Sequence, residues 1–327
     1  MTPYFGQDEQ ARTLMDAAAG GRMHHGWILA GPKGIGKAAF ARAAALRLLA
    51  DAAGPSFQSS GLDVPDDHRI ARLFVSGAHP DYAELERLEK DNGDYARNIS
   101  VDQVRGLQRL FSNVPSFSDR RVIVIDSADD LERGAANALL KNLEEPPAGT
   151  IFLLVSHAPA RLLPTIRSRC RLLRFSPLPD DQMRQVLRQN LPDLADDGEM
   201  EALIAMGQGS PGRALEFAGL GLAQVESLMR EILTTGDPDN SRRLMLAKML
   251  SPKAARPRYE ALLERGPAFI AAAARAREGR ALATAVDAWE QARSLAAGAV
   301  ILSLDPSSVV FELCSLIAGI ADVREAA

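Results

Sequence analysis

Short apolar runs alternate with amphipathic helical patterns over the first half of the chain. Four apolar runs have the length of single strands and lie at residues 27–30, 122–126, 151–155 and 171–175. Their apolar residues are mostly continuous rather than alternating, which is typical of strands in a parallel sheet covered on both faces. Helical periodicity appears between these runs, at residues 7–20, 37–50, 101–111 and 132–144. Strands that alternate with helices predict an α/β domain with a parallel sheet.

The pattern changes after Pro177 and Pro179, beyond which helical periodicity replaces the strands. The helical patterns cover residues 180–191, 197–207, 211–219 and then most of 222–327. No heptad repeat is sustained, which argues against a coiled coil. We therefore predict three domains, which are an α/β domain over residues 1–176, a small helical domain over 177–220 and an all-helical domain over 221–327.

Composition and charge narrow the classes of protein that this chain can represent. The 327 residues are 46% hydrophobic and 24% charged, with a formal net charge of −4. A protein that holds DNA by itself usually has a basic face, so we expect any contact with nucleic acid to be local or shared with partner chains. Cys170 and Cys314 are too few for a disulfide framework or a four-cysteine zinc site. Without a signal-peptide pattern or an apolar run of about 18 residues, we expect a cytoplasmic protein.

A glycine-rich segment follows the first apolar run and precedes a helical pattern. Gly31, Gly36 and Lys37 match the spacing G-x-x-x-x-G-K of a phosphate-binding loop, with Gly34 between them. Glycines allow backbone N–H groups to curl around phosphate oxygens, and the dipole of the following helix favours negative charge. Lys37 adds positive charge beside the terminal phosphates. We therefore predict a nucleotide-binding P-loop, with a chance glycine-rich turn as the alternative.

Two residues bear on whether this loop supports hydrolysis. Ala38 takes the place of the Ser or Thr whose hydroxyl binds Mg²⁺ in P-loop enzymes. Asp126 ends a buried strand, where an aspartate can hold the Mg²⁺ shell, although such a residue can also simply cap the strand. We predict that nucleotide can bind at this loop and that the positioning of a metal ion is impaired.

Several motifs occur together along the chain. They are Asn137-Ala138-Leu139-Leu140-Lys141, Leu143-Glu144-Glu145-Pro146-Pro147, Ser168-Arg169-Cys170, His79-Pro80-Asp81, Gly209-Ser210-Pro211-Gly212-Arg213 and Leu304-Asp305-Pro306. In this combination the chain resembles bacterial clamp-loader subunits over nearly its whole length. The resemblance implies an α/β P-loop NTPase domain of the AAA+ type, then a small helical lid domain, then a C-terminal all-α collar domain that mediates oligomerisation.

The resemblance also implies roles for individual residues. Arg169 falls on the arginine that clamp-loader subunits donate in trans to a neighbour's ATP site, with a surface arginine in a salt bridge as the alternative. Arg213 falls on the second sensor of nucleotide, and Ser156 on the first sensor, where relatives often carry Thr or Asn. Ser127 stands where AAA+ ATPases usually have the Glu that orients the attacking water. Together with Ala38, this departure predicts weak or absent hydrolysis.

The same resemblance raises the question of zinc. Relatives often carry a four-cysteine zinc module just before the position of His79, whereas residues 51–74 contain no cysteine. We therefore predict that this chain binds no zinc, and that residues 51–70 form a surface insertion without a metal.

The function that the resemblance implies is help in loading a sliding clamp on primed DNA, as one component of the bacterial DNA polymerase III holoenzyme. The implied partners are the gamma/tau and delta subunits of the clamp loader, with the sliding clamp and primed DNA contacted through the complex and no membrane. ATP is the expected cofactor, bound without efficient hydrolysis. The alternatives are a catalytically active gamma/tau-type subunit and a stand-alone AAA+ motor ATPase or helicase.

Overall fold

The structure is a computed structural model that describes residues 6–21, 23–54, 61–91 and 93–321. Its strands are β1 (Gly26–Ala30), β2 (Tyr82–Glu86), β3 (Arg121–Asp126), β4 (Thr150–Ser156) and β5 (Arg171–Arg174). Its helices in the first half of the chain are α1 (Asp8–Ala19), α2 (Lys37–Ala53), α3 (Arg69–Val75), α4 (Val101–Gly106), α5 (Gln108–Phe111), α6 (Arg133–Glu144) and α7 (Pro164–Arg167). The later helices are α8 (Asp180–Asn190), α9 (Asp197–Gly207), α10 (Pro211–Glu216), α11 (Ala223–Thr235), α12 (Ser241–Leu250), α13 (Arg256–Ala274), α14 (Gly279–Ile301) and α15 (Pro306–Gly319).

The strands of the described residues form one sheet in the order β2-β3-β4-β1-β5, and every neighbouring pair is parallel. Strands β1 and β4 are buried along their whole length, and β3 is buried except at its last residue. Burial on both faces explains why these segments read as continuous apolar runs. The predicted α/β fold with a parallel sheet is confirmed, and so are the four predicted strands.

Two layers of core cover the sheet, because successive side chains of a strand point to opposite faces. On one face Val122, Val124 and Leu153 pack with Phe40 and Leu48 of α2. On the other face the core contains Ile123, Ile125, Phe152, Leu154, Leu139 and Leu143, the last two from α6. The helices on the two faces shield the backbone of the sheet from water and leave its strand ends accessible to polar residues.

Three of these strands and helices lie outside the segments predicted from the sequence, namely β2, α3 and α7. Strand β2 pairs only with β3, so it is an edge strand, and most of its positions are partly exposed. Its polar positions therefore break the continuous apolar signal that marks the inner strands. The two unpredicted helices are short, and in α3 the N-terminal amide of Ile70 donates to His68 Nδ1. The predicted surface insertion at 51–70 falls partly on residues 55–60, which lie outside the described residues.

Helix α4 begins directly after the capping residue Ser100. Ser100 and Gln103 form a capping box, with the Gln103 amide donating to Ser100 Oγ and the Ser100 amide donating to Gln103 Oε1. The single helix predicted over 101–111 is divided at Leu107 into α4 and α5. The last helix predicted before residue 220 ends at Glu216 rather than 219.

The chain divides by its internal contacts into two compact units. One unit contains residues up to Val186 together with Gly209–Gly212, and the other contains Leu187–Gln208 and the residues from Arg213 onward. The three-domain division at 176 and 220 stays a prediction. Among the helices of the described residues, none is both long enough and apolar enough to span a bilayer.

The second unit contains a buried ion pair. Arg265 of α13 donates to both carboxylate oxygens of Glu226 of α11, at 2.9 and 2.8 Å, and both side chains are almost wholly buried. Arg230 also donates to Glu226, at 3.3 Å. Because two charges have been removed from water, the pair is satisfied only while both partners are present.

We predict that Glu226→Ala lowers the free energy of unfolding by about 3 kcal/mol, because it leaves the Arg265 guanidinium buried without its carboxylate. The matched control is Glu260→Ala, which breaks the exposed 2.9 Å pair with Arg256 and should cost less than about 1 kcal/mol. Urea denaturation followed by circular dichroism measures both. Equal losses in the two variants would contradict the prediction.

Candidate nucleotide-binding site and trans arginine

The predicted P-loop connects the end of β1 to the start of α2. Gly34 and Gly36 have φ angles of +78° and +90°, a region that side chains with a Cβ rarely adopt. Lys37 is the first residue of α2, and its Nζ donates to the carbonyls of Gly31, at 2.7 Å, and Pro32. The strand, loop and helix thus lie as a phosphate-binding loop requires.

Lys37 is only 3% exposed. Burial lowers the pKa of Lys37 to about 8, although the carboxylates of Asp126 and Asp129 act in the opposite direction. Its hydrogen bonds to two loop carbonyls satisfy the ammonium within the loop itself. A bound phosphate would therefore have to replace these carbonyls as the partner of Lys37.

The segment Gly209–Gly212 lies against the P-loop. Ser210 Oγ donates to the carbonyl of Lys33 at 3.0 Å, and the Gly212 amide donates to the carbonyl of Gly34 at 2.9 Å. A Cβ on Gly212 would lie 3.0 Å from the Cα of Gly34, so the two backbones are in close contact. The loop is thereby held by a segment that is distant in sequence.

The residues at the metal position do not match the usual donor set for Mg²⁺. Ala38 offers no hydroxyl, as the sequence indicates. Asp126 lies 3.7 Å from the guanidinium of Arg42, one turn beyond Ala38 on α2, and Arg42 also pairs with Glu84 at 2.6 Å. Burial raises the pKa of Asp126 while Arg42 lowers it. The carboxylate that would hold a metal shell already has a cationic neighbour.

The end of β4 is held by an aspartate that the sequence analysis does not single out. Asp129 accepts three hydrogen bonds there, from Ser156 Oγ at 3.0 Å, from the His157 amide at 2.6 Å and from the Ala158 amide at 3.2 Å. Ser156, the predicted first sensor, is fully buried. Ser127, which stands in the place of the water-orienting Glu, is also buried and donates to Asp130.

The contact of Asp129 with the end of β4 could have been predicted only if the strand order had been known. Asp129 follows β3 by three residues, and β4 is the neighbour of β3 in the sheet. Because parallel strands end at the same edge, an acidic residue just after β3 can reach the amides just after β4. The sequence shows neither which strands are neighbours nor which of Asp129 and Asp130 is directed to β4.

The predicted trans arginine lies at the opposite edge of the sheet. Register pairs Trp27 of β1 with Arg171, so Arg169 lies level with the start of β1, whereas the P-loop follows the end of β1. The five residues of β1 separate the two edges by about 17 Å, well beyond the reach of one arginine side chain. Arg169 therefore cannot act on a phosphate bound at its own P-loop.

Arg169 is held in place by its own chain. Its Nη2 forms a 2.8 Å ion pair with Glu144, the last residue of α6, and its Nη1 donates to the carbonyl of Thr165 at 3.1 Å. Its side chain remains 34% exposed. The salt bridge that was the alternative for Arg169 is thus present, and it leaves about a third of the side chain exposed.

The backbone around Arg169 is packed against the start of β1. A Cβ on Gly26 would lie 2.8 Å from Cys170 Sγ and 3.2 Å from the carbonyl of Arg169, so only glycine fits this position. Burial raises the pKa of the Cys170 thiol to about 12, which keeps the thiol neutral. Cys170 therefore has a packing role beside Arg169.

The predicted second sensor belongs to the other compact unit. Arg213 Nη2 forms a 2.8 Å ion pair with Glu264 of α13, and its Nη1 lies 3.4 Å from Gln208 Oε1. These contacts give Arg213 a carboxylate partner within its own unit. Its role as a sensor of nucleotide stays a prediction.

Comparison with known proteins agrees with these motifs. The family model described as DNA polymerase III, delta subunit, matches residues 6–179. The chain is 37% identical over 221 residues to DNA polymerase III subunit delta' of Pseudomonas aeruginosa, covering 65% of this chain and 63% of that protein. The chain belongs to the DNA polymerase III delta' family. The resemblance to bacterial clamp-loader subunits of DNA polymerase III is thereby confirmed.

Two further relatives show the breadth of the delta' family and its neighbours. Subunit delta' of Escherichia coli is 34% identical, with 62% of this chain and 57% of that protein covered. Subunit gamma/tau of Mycobacterium tuberculosis is 32% identical, with 63% of this chain and 34% of that protein covered. The matched region thus spans less than two thirds of the length of each of these relatives.

We predict that Asp129→Ala lowers the free energy of unfolding by about 1–3 kcal/mol, because it leaves the buried Ser156 hydroxyl and two amides without their acceptor. Asp119→Ala, which removes an exposed carboxylate, serves as the control and should change stability by less than about 0.5 kcal/mol. Urea unfolding curves measure both variants. A loss at Asp129 no larger than at Asp119 would show that the acceptor is dispensable.

Proposed function

We propose that this chain is a delta'-type subunit of a bacterial clamp loader that donates Arg169 to the ATP site of a neighbouring subunit. In the proposed assembly, related subunits form a ring through their C-terminal helical regions. The gamma/tau and delta subunits are its partners, and the complex opens a sliding clamp and places it on primed DNA. The chain thereby assists hydrolysis in a neighbour rather than acting as the main ATPase.

One observation carries this proposal, which is the position of Arg169 at the sheet edge opposite the P-loop. The sheet register separates it from its own loop by about 17 Å. An arginine whose side chain remains partly exposed there is suited to a phosphate held by another chain. Such an arginine stabilises the charge that develops on a transferred phosphoryl group, an effect of about 10³–10⁵ in rate.

The chain's own P-loop region supports the proposal that this subunit is not the main ATPase. It retains the glycines and Lys37 of a P-loop, which favours the binding of a nucleotide. It lacks the metal-binding hydroxyl at Ala38 and the carboxylate at Ser127. Hydrolysis needs both a positioned metal ion and an oriented water, so two independent parts of the machinery are missing.

The alternative is a catalytically active gamma/tau-type subunit, which the 32% identity to the Mycobacterium tuberculosis gamma/tau subunit favours. A stand-alone AAA+ motor or helicase would need the same two groups that are missing here. The rate of ATP turnover by the purified chain separates these alternatives from the proposal.

We predict that Arg169→Ala lowers the DNA-stimulated ATPase of a clamp loader reconstituted with this chain, while the loader still assembles. The ATP site of the neighbouring subunit should lose on the order of 10³ in rate. The ATPase rate of the whole loader should therefore fall by the fraction that this site contributes. Arg72→Ala, on the exposed side of α3, is the control. Steady-state ATPase and size-exclusion chromatography measure the two effects. Unchanged ATPase in an assembled Arg169→Ala loader would end the proposal.

We also predict that the purified chain alone binds ATP but turns it over at no more than the background rate of the Lys37→Ala variant. The reason is the absence of the hydroxyl at residue 38 and the carboxylate at residue 127. Isothermal titration with and without Mg²⁺ measures binding, and phosphate release measures turnover. Magnesium-dependent turnover well above that of Lys37→Ala would support the gamma/tau-type alternative instead.

A further inference from the structure

The ion pair between Glu144 and Arg169 fixes the orientation of the guanidinium. Glu144 Oε1 lies 2.8 Å from Nη2 of Arg169, while Nη1 donates to the Thr165 carbonyl at 3.1 Å and to Ser168 Oγ at 3.4 Å. A guanidinium has five N–H donors in one plane. These contacts occupy one side of the group and leave further donors for another ligand.

Both partners of the pair are attached to rigid parts of the fold. Glu144 is the last residue of α6 and follows Leu143, which is buried in the core. The amide of Arg169 donates to the Ile166 carbonyl at 3.1 Å, and its own carbonyl packs on Gly26. The distance between the carboxylate and the guanidinium is thus set by the packing of α6 and β1, not by a flexible loop.

Stability does not explain an acidic residue at this position. The C-terminal end of a helix carries partial negative charge, so a carboxylate as the last residue of α6 is unfavourable unless a cation lies beside it. Both side chains are partly exposed, at 48% and 34%, and such surface pairs contribute little to stability. The main effect of the ion pair is therefore local, because it restricts the side-chain conformation of Arg169.

We propose that Glu144 is a positioning residue for Arg169. It holds the guanidinium in one orientation, so that the remaining N–H donors meet the phosphate bound by the adjacent subunit without first losing side-chain freedom. A long side chain that is already ordered forms its transition-state contact with a smaller entropic loss. This inference rests on the proposed function of Arg169 as an arginine donated in trans.

The test uses the reconstituted clamp loader with Glu144→Gln in this chain. The amide keeps the size of the side chain but replaces the ion pair by a weaker hydrogen bond. We expect the Arg169-dependent part of the DNA-stimulated ATPase to fall about three- to tenfold in kcat, because the contact is made in the transition state, with KM for ATP unchanged. Glu145→Gln, which neutralises the adjacent exposed carboxylate, should leave the rate unchanged.

A double-mutant cycle separates positioning from a merely structural effect. If Glu144 acts through Arg169, then Glu144→Gln has no further effect in an Arg169→Ala loader. The urea midpoint of the full chain should also be the same with and without Glu144→Gln. An equal loss of rate in the Arg169→Ala background would overturn the inference, since Glu144 would then act by another route.

The same set of loaders distinguishes the inference from the proposed function. If Arg169→Ala lowers the ATPase while Glu144→Gln does not, the positioning role is wrong and the donated arginine stands. If neither Arg169→Ala nor Glu144→Gln lowers the ATPase, the proposed function fails and the positioning role fails with it.

Discussion

Burial of the inner strands on both faces is the constraint on which the rest of the molecule depends. Strands β1, β3 and β4 have no solvent-facing side apart from the last residue of β3, so their side chains are almost all apolar. Polar chemistry is consequently confined to the segments that enter and leave these strands. Because all strand pairs are parallel, all strands end at one edge of the sheet and begin at the other.

This separation gives the two edges different roles. The P-loop after β1, Asp126 and Asp129 at β3, and Ser156 at β4 all lie at the edge where the strands end. Most of the residues predicted to contact a nucleotide of this chain therefore lie together, and Arg213 of the other unit is the exception. Gly26 and the Ser168-Arg169-Cys170 motif lie at the opposite edge, where the strands begin, beside the end of α6. Under the proposed function, one edge of the parallel sheet would face the chain's own nucleotide and the other edge would face a neighbouring subunit, with the same core between them.

The inner strands could be predicted from the sequence because strands buried on both faces consist almost entirely of apolar residues. Edge strand β2 has no such signal, since half-exposed positions tolerate polar residues such as Glu84 and Glu86. The contact of Asp129 with the end of β4 depends on strand order, which local patterns do not encode. The pair of Glu144 with Arg169 joins residues 25 apart and depends on how α6 packs on β1.

The P-loop motif by itself does not establish that this chain uses a nucleotide. Lys37 is satisfied by two carbonyls of its own loop, and the Gly209–Gly212 segment adds two hydrogen bonds from outside it. Gly34 and Gly36 are required by their positive φ angles whether or not a phosphate is bound. A subunit that had lost hydrolysis would therefore keep these residues for the sake of the loop's structure. Ala38 and Ser127 do not have positive φ angles, and they are the positions at which the sequence departs from the usual motifs of AAA+ ATPases.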